Sequence, residues 1–470
     1  MKNAKKFLVI LIFGTFLTCL YAQEFSPDSP DDDRLAEESD VSAKDVALAA
    51  GLAFTVNVFF NSADRIILNK DYAAVNTNTI KRNLTGSWWW DVDGFATNQF
   101  GHPYQGSLYF NAGRANGLNF WASLSIAAFG SLTWEEFGET DAPSINDIIT
   151  TPICGAIFGE TFHRLYLDAD EICPALAWLL SPIDAFSSLM SGKKAEVSGH
   201  TEEISISFHG GSEYSNTDFS SSSKSDKMSK AAGGSAIHVQ YGDEAAHESK
   251  EPFDLFTLDC DTDFSVNFYK ADFCIDGFLW SKALYFDESE GTFGIDLIYE
   301  GEFASNSLFS NAATGVKYIH TRKFSDSDGK FTFFAQADGI FMGTRSVHSL
   351  YKNRSDYDDW IEPPRFYNFG YGALAKFGFS VGNTRFGKFF AESEASFLLP
   401  FSGSDKNTSK SKNHTMASVK MGYEHKITGS FSLGISDCLT YKADRYKHEA
   451  DTVQVLDSAS IYGKFSFERK

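Results

Sequence analysis

The stretch from Thr97 to Leu165 concentrates side chains that can do chemistry. His102, Arg114, Glu135, Glu136, Glu139, Asp147, Glu160, His163 and Arg164 lie there among aromatic and small residues. Glu135 and Glu139 are four apart and share a helix face. Glu160 and His163 are three apart, a spacing that helix-borne metal ligands use. An imidazole with two or three carboxylates can hold a divalent metal or act as a general acid/base pair. His102, Glu135, Glu139 and Glu160 are therefore the candidate catalytic residues. Spacing alone leaves the metal and any cofactor unknown.

Each of these residues also has a purely structural reading. Asp147 can cap a helix. Arg114 and Arg164 can neutralise buried carboxylates such as Glu135 or Glu139. Arg114, Asp147 and Arg164 are thus expected to form a structural polar network. Glu136 lies about 100° around the helix from Glu135 and is expected to face solvent. Ser107, Ser123 and Ser131 are available as nucleophiles, but no G-x-S-x-G elbow, P-loop or G-x-G-x-x-G fingerprint singles one out.

Three helices are expected to position these groups. The first runs over residues 104–115 and stops at Asn116-Gly117. The second covers 119–139. The third starts at Pro143-Ser144 and reaches 167, with Ser144 and Asp147 spaced as a capping box. The last two form a hairpin, and Gly155 and Gly159 make a G-x-x-x-G that permits close helix approach. An earlier helix is expected over 42–67.

The motif series W-x-W-D (Trp88 to Asp91), N-Q-F-G-H-P-Y (Asn98 to Tyr104), G-S-L-Y-F-N-A (Gly106 to Ala112), W-E-x-x-G-E (Trp134 to Glu139), P-S-x-N-D (Pro143 to Asp147) and G-E (Gly159, Glu160) carries a resemblance. It resembles domain of unknown function family 3943, a family of uncharacterised bacterial exported and outer-membrane proteins. The resemblance covers about residues 71–167. It implies an envelope location and no assigned reaction. The chain departs from the family at His163, where a Tyr is expected.

The remainder of the chain fits that location. Lys2, Lys5 and Lys6 precede an apolar core from Phe7 to Phe13, and Leu20-Tyr21-Ala22 offers a cleavage site. Residues 1–22 read as a signal peptide and 23–43 as an acidic disordered linker. Loss of the leader takes the formal charge from −21 to −24. No basic stripe remains to neutralise phosphates, which argues against a nucleic-acid partner. Cys154, Cys173, Cys260, Cys274 and Cys438 follow the leader, an odd number with no C-x-x-C. Their pairing is left open.

From Glu202 onward the hydrophobic period changes to two. Phe293, Ile295, Leu297, Tyr299 and Phe303 alternate with Gly294, Asp296, Ile298, Glu300 and Glu302. Phe369 to Val381, Phe431 to Ile435 and Ile461 to Phe467 repeat the pattern. Aromatics make up 15% of the chain, with 45 Phe and 19 Tyr, while the mean hydropathy is only −0.23. Apolar residues dispersed in this way suit a membrane barrel with a polar interior.

The expected fold class is therefore α+β: an N-terminal helical domain (44–175) with a close-packed helix hairpin, then an antiparallel membrane β-barrel (200–470) of roughly 10–12 strands, each about 9–13 residues long. Asp296, Glu300, Glu392 and Glu394 are expected to point into the lumen. The location is the bacterial outer membrane, with lipid as partner and protein partners unknown. The favoured role is structural, transport or binding, with the helical domain plugging, gating or lining the barrel. The alternative is an envelope lipid- or glycan-directed hydrolase built on the His/carboxylate cluster; whether the protein is an enzyme stays open.

Overall fold

The computed structural model describes residues 41–91, 93–170, 173–191, 199–220, 225–265, 268–304, 307–324, 328–347, 367–404, 411–447 and 451–468. The signal peptide and most of the acidic linker lie outside them. The chain divides into two compact units, Met1–Gly199 and His200–Lys470.

The first unit is helical. Helix α1 spans Ala43–Ile66, and Ser42 and Asp45 close its N-terminus as a reciprocal capping box. One face of α1, with Ala49, Ala53 and Asn57, is buried, while Leu48, Phe54, Val58 and Phe59 are exposed. Helix α2 spans Thr77–Thr85. A single π-helical turn, Thr97–Gly101, feeds α3, His102–Arg114. Helices α4 (Phe120–Phe137) and α5 (Asp147–Ala169) form the expected hairpin, followed by α6 (Pro174–Leu180) and α7 (Pro182–Ser191).

The glycines of α5 serve α3 rather than the hairpin partner. A Cβ on Gly106 would lie 1.9 Å from the Thr151 carbonyl oxygen, and one on Gly155 would lie 2.5 Å from the Gly106 carbonyl carbon. Helices α3 and α5 therefore cross backbone to backbone. Gly159 likewise makes room for Phe110.

Among the described residues the second unit is a closed barrel of twelve antiparallel strands, each paired with its sequence neighbours and β1 with β12. They are β1 (Thr201–Phe219), β2 (Ser225–Tyr241), β3 (Phe256–Ser265), β4 (Phe268–Phe286), β5 (Ser289–Ala304), β6 (Ser307–Lys323), β7 (Lys330–Val347), β8 (Asn368–Asn383), β9 (Gly387–Pro400), β10 (Ser411–Lys426), β11 (Phe431–Tyr446) and β12 (Thr452–Glu468). At 10 to 19 residues, several strands exceed the expected length. A tilted strand needs only about 9–11 residues to cross the hydrocarbon, so the longer ones extend past it.

Residues 225–230 look like loop in sequence but belong to β2. Lys230 of this stretch faces inward, where its Nζ meets Glu213 of β1 at 2.8 Å. Closure leaves no unpaired sheet edge, the condition for a sheet to survive in lipid. The faces alternate as the sequence requires. Phe293, Ile295, Tyr371, Phe377, Ile461 and Phe467 are exposed on the outer face, while Asp296, Ile298, Glu300 and Leu374 are buried inside.

Candidate functional site

The helical unit brings together three motifs that are far apart in sequence. The Trp88–Asp91 strip is pinned to the α4–α5 loop by a short parallel bridge: Trp89 N donates to Pro143 O at 2.9 Å, and Ile145 N donates to Trp89 O at 2.7 Å. Asn146 then joins the parts. Its Oδ1 accepts from Asp91 N at 2.9 Å, and its Nδ2 donates to Asp147 Oδ1 at 2.8 Å. The π-turn delivers His102 to the same place, where its Nε2 lies 3.9 Å from Asp147 Oδ2. One ligand-type atom each from Asp91, His102 and Asp147 falls within 4.8 Å of the others. His102 and Asp147 are 8% and 2% exposed.

Carboxylates crowd this point. Burial raises Asp147 to about 6 and Asp93, next to Asp91 and Asp147, to about 7. Burial also pushes Glu135 and Glu139 well above the ordinary range, and the neighbours that reinforce the shift are other carboxylates. For His102 burial works against the charged ring, yet Asp147, Asp91 and Asp93 outweigh it and raise the imidazole. Carboxylates beside an imidazole favour its charged form, while burial and like-charged neighbours favour neutral carboxyl groups.

The candidate residues separate into two groups. His102, Asp147, Glu135 and Glu139 share the N-terminal end of α5, with Glu135 Oε2 accepting from Ser144 N at 2.5 Å. Glu160 sits thirteen residues along α5, about 20 Å away. Arg114 Nε and Arg164 Nε grip its two oxygens at 2.9 and 2.8 Å. The two arginines therefore neutralise Glu160 and not Glu135 or Glu139. His163 pairs with Asp184 of α7 at 3.0 Å.

Asp147 is the first residue of α5 and not its cap. Ser144 Oγ accepts from Asp147 N, half of the expected box, while the Asp147 carboxylate turns to Asn146 and His102. Glu136 is buried at 4% exposure instead of facing solvent. Helix α4 is packed by α1, α2, α3 and α5, and at that turn the exposed position is Phe137. Asp91 was missed as a candidate. Its signal was the W-x-W-D motif itself, which gains meaning once the bridge to Pro143–Ile145 is seen. The three serines each donate to backbone carbonyls: Ser107 to Tyr104, Ser123 to Leu118 and Ser131 to Asp147. None is hydrogen-bonded to His102 among the described residues. The five cysteines that follow the leader are unpaired thiols among the described residues.

The barrel lumen is the second polar region, and side chains cross it. Lys442 Nζ of β11 reaches Glu302 Oε1 of β5 at 2.7 Å. In a twelve-strand ring those strands are diametrically opposite. Arg345 of β7 meets Asp444 of β11 at 3.0 Å, and His414 of β10 meets the same carboxylate oxygen at 2.8 Å. Lys442 is only 2% exposed. All these residues lie toward the end that carries the β7–β8, β9–β10 and β11–β12 connections. Farther in, Lys376 of β8 reaches Glu300 of β5 at 2.5 Å and Glu394 of β9 at 3.4 Å. Asp296 accepts from Gln336 at 2.6 Å. Glu392 remains exposed. Ile298, Ala313, Ile340, Leu374 and Leu398 form an apolar patch on the β5–β9 wall.

Residues 87–172 match the family described as "Domain of unknown function (DUF3943)". This is the family that the motif series resembles, and the DUF3943 segment contains all of Asp91, His102, Glu135, Glu139 and Asp147. A comparison with curated proteins returned no match. Among solved structures, an outer membrane channel from Pseudomonas putida F1 is similar at 6% identity and TM-score 0.30, over 57% of this chain and 96% of that one. The KdgM porin is similar at 10% identity and TM-score 0.21, over 56% and 99%. The Pseudomonas putida toluene transporter TodX is similar at 7% identity and TM-score 0.22, over 56% and 89%. These overlaps are slight, and the barrel rests on the chain's own strand pairing.

Proposed function

We propose that this chain is a bacterial outer-membrane barrel with a gated transport role. The supporting observation is the ion-paired layer in which Lys442 bridges opposite walls to Glu302 and the Asp444 carboxylate is shared by Arg345 and His414. An apolar outer face contacts lipid, and a polar interior crossed by paired charges can open only by exchanging those pairs for water. The helical unit regulates the barrel in this reading. Export proceeds with cleavage after Ala22, which N-terminal sequencing of the membrane-inserted protein checks.

Solute flux into liposomes carrying the full-length protein tests the gate. The wild type passes little. The double variant Lys442→Ala, Arg345→Ala removes these two cations and raises flux, while the heat-dependent gel shift of a folded barrel persists. Free flux through the wild type, or none through the folded double variant, overturns the reading.

A further inference from the structure

We propose that Asp91, His102 and Asp147 form a binding site for a divalent transition-metal ion such as Zn²⁺ in the helical unit. The site stands on geometry independent of the barrel's transport role. His102 Nε2 and Asp147 Oδ2 face each other at 3.9 Å, beyond hydrogen-bond length. Atoms that each sit about 2.1 Å from one tetrahedral ion lie about 3.4 Å apart. The gap is thus one that an ion closes and a proton does not. All three donor atoms fall within 4.8 Å, so a closure of roughly 1 Å completes the set.

The surroundings are those of a built site. Metal-ligating carboxylates are oriented by hydrogen bonds to their other atoms. Here Asp147 Oδ1 accepts from Asn146 Nδ2 at 2.8 Å, and Asp91 Oδ2 accepts from Asp93 N at 3.0 Å. Asn146 Nδ2 also reaches Asn98 Oδ1 at 3.3 Å, which ties the π-turn before His102 to the start of α5. The donors come from three separate segments that converge on one buried point. One imidazole with two carboxylates leaves room for water or a further ligand, and imidazole favours Zn²⁺ over Mg²⁺.

A second triad gives the control. In the lumen, His209 lies 2.8 Å from Asp263 and 3.8 Å from Asp261. That histidine is already hydrogen-bonded to a carboxylate.

The test is equilibrium Zn²⁺ binding to the full-length protein in detergent, with Mg²⁺ as competitor. Wild type and His209→Gln are expected to take up one tight equivalent that excess Mg²⁺ does not displace. His102→Gln and Asp147→Asn each weaken that equivalent about 10-fold or more. Persistence of the tight equivalent in both variants, or its loss in His209→Gln, overturns the proposal. A variant-free measurement guards against misfolding. Zn²⁺ added to wild type slows amide exchange in Trp88–Asp91 and the first turn of α5. Unchanged exchange there at saturating Zn²⁺ also overturns it.

Discussion

The barrel lumen and the start of α5 both bury carboxylates, but they handle them differently. In the lumen the acids of the cross-wall layer have cations, Glu302 with Lys442 and Asp444 with Arg345, and farther in Glu300 has Lys376. In the helical unit Glu160 follows the same rule, with two arginines. At the start of α5, Asp147 accepts from the neutral Asn146 amide and stands 3.9 Å from His102, and Glu135 leans on a backbone N–H. Paired buried charges specify a structure. Buried carboxylates gathered around one histidine hold free energy that a ligand or proton can release, which makes them the functional candidates.

Removing a paired carboxylate should therefore cost most. Glu160→Ala leaves Arg114 and Arg164 as uncompensated buried cations and is expected to destabilise the helical unit by about 3–5 kcal/mol. Loss of hydrogen-exchange protection in α3 and α5 reads this out. Protection equal to wild type would erase the distinction between the two groups. In the barrel, Arg345→Met strands Asp444 less completely, because His414 stays at 2.8 Å. The expected cost is about 1–3 kcal/mol. It appears as a lower temperature for loss of the folded-barrel gel shift, with higher solute flux.

This contrast was only partly legible in the sequence. Period-two alternation from Phe293 to Phe303 and from Phe369 to Val381 placed each side chain on its face, because the pleat leaves a strand no other choice. Lys376 and Lys442 lie far along the chain from Glu300 and Glu302, and only closure of the ring brings them together. In the helical unit, i,i+3 and i,i+4 spacing found Glu160 with His163 and Glu135 with Glu139. Spacing along one helix cannot show what meets it from another. Glu160 went to two arginines, His163 to Asp184, and Asp91 arrived through a bridge that no helical period predicts.

The smallest expected effect separates the two groups most cleanly. Glu135 is 1% exposed, and burial with neighbouring carboxylates raises its pKa well above the ordinary value. A raised folded-state pKa contributes stability that is present below the unfolded value, about 4.3, and is lost as pH rises through the folded value. The helical unit of the chelator-treated protein should accordingly lose exchange protection as pH rises above the ordinary carboxyl range. Glu135→Gln keeps an acceptor for Ser144 N and removes the charge. It should match wild type at pH 4–5 and exceed it at pH 8 by about 1 kcal/mol, less than one pKa unit's worth. A paired acid behaves oppositely, since Glu160→Gln weakens its arginine grip and costs stability at pH 8. If Glu135→Gln also destabilises at pH 8, Glu135 is a paired structural carboxylate like Glu160, and the contrast between the two ends of α5 fails.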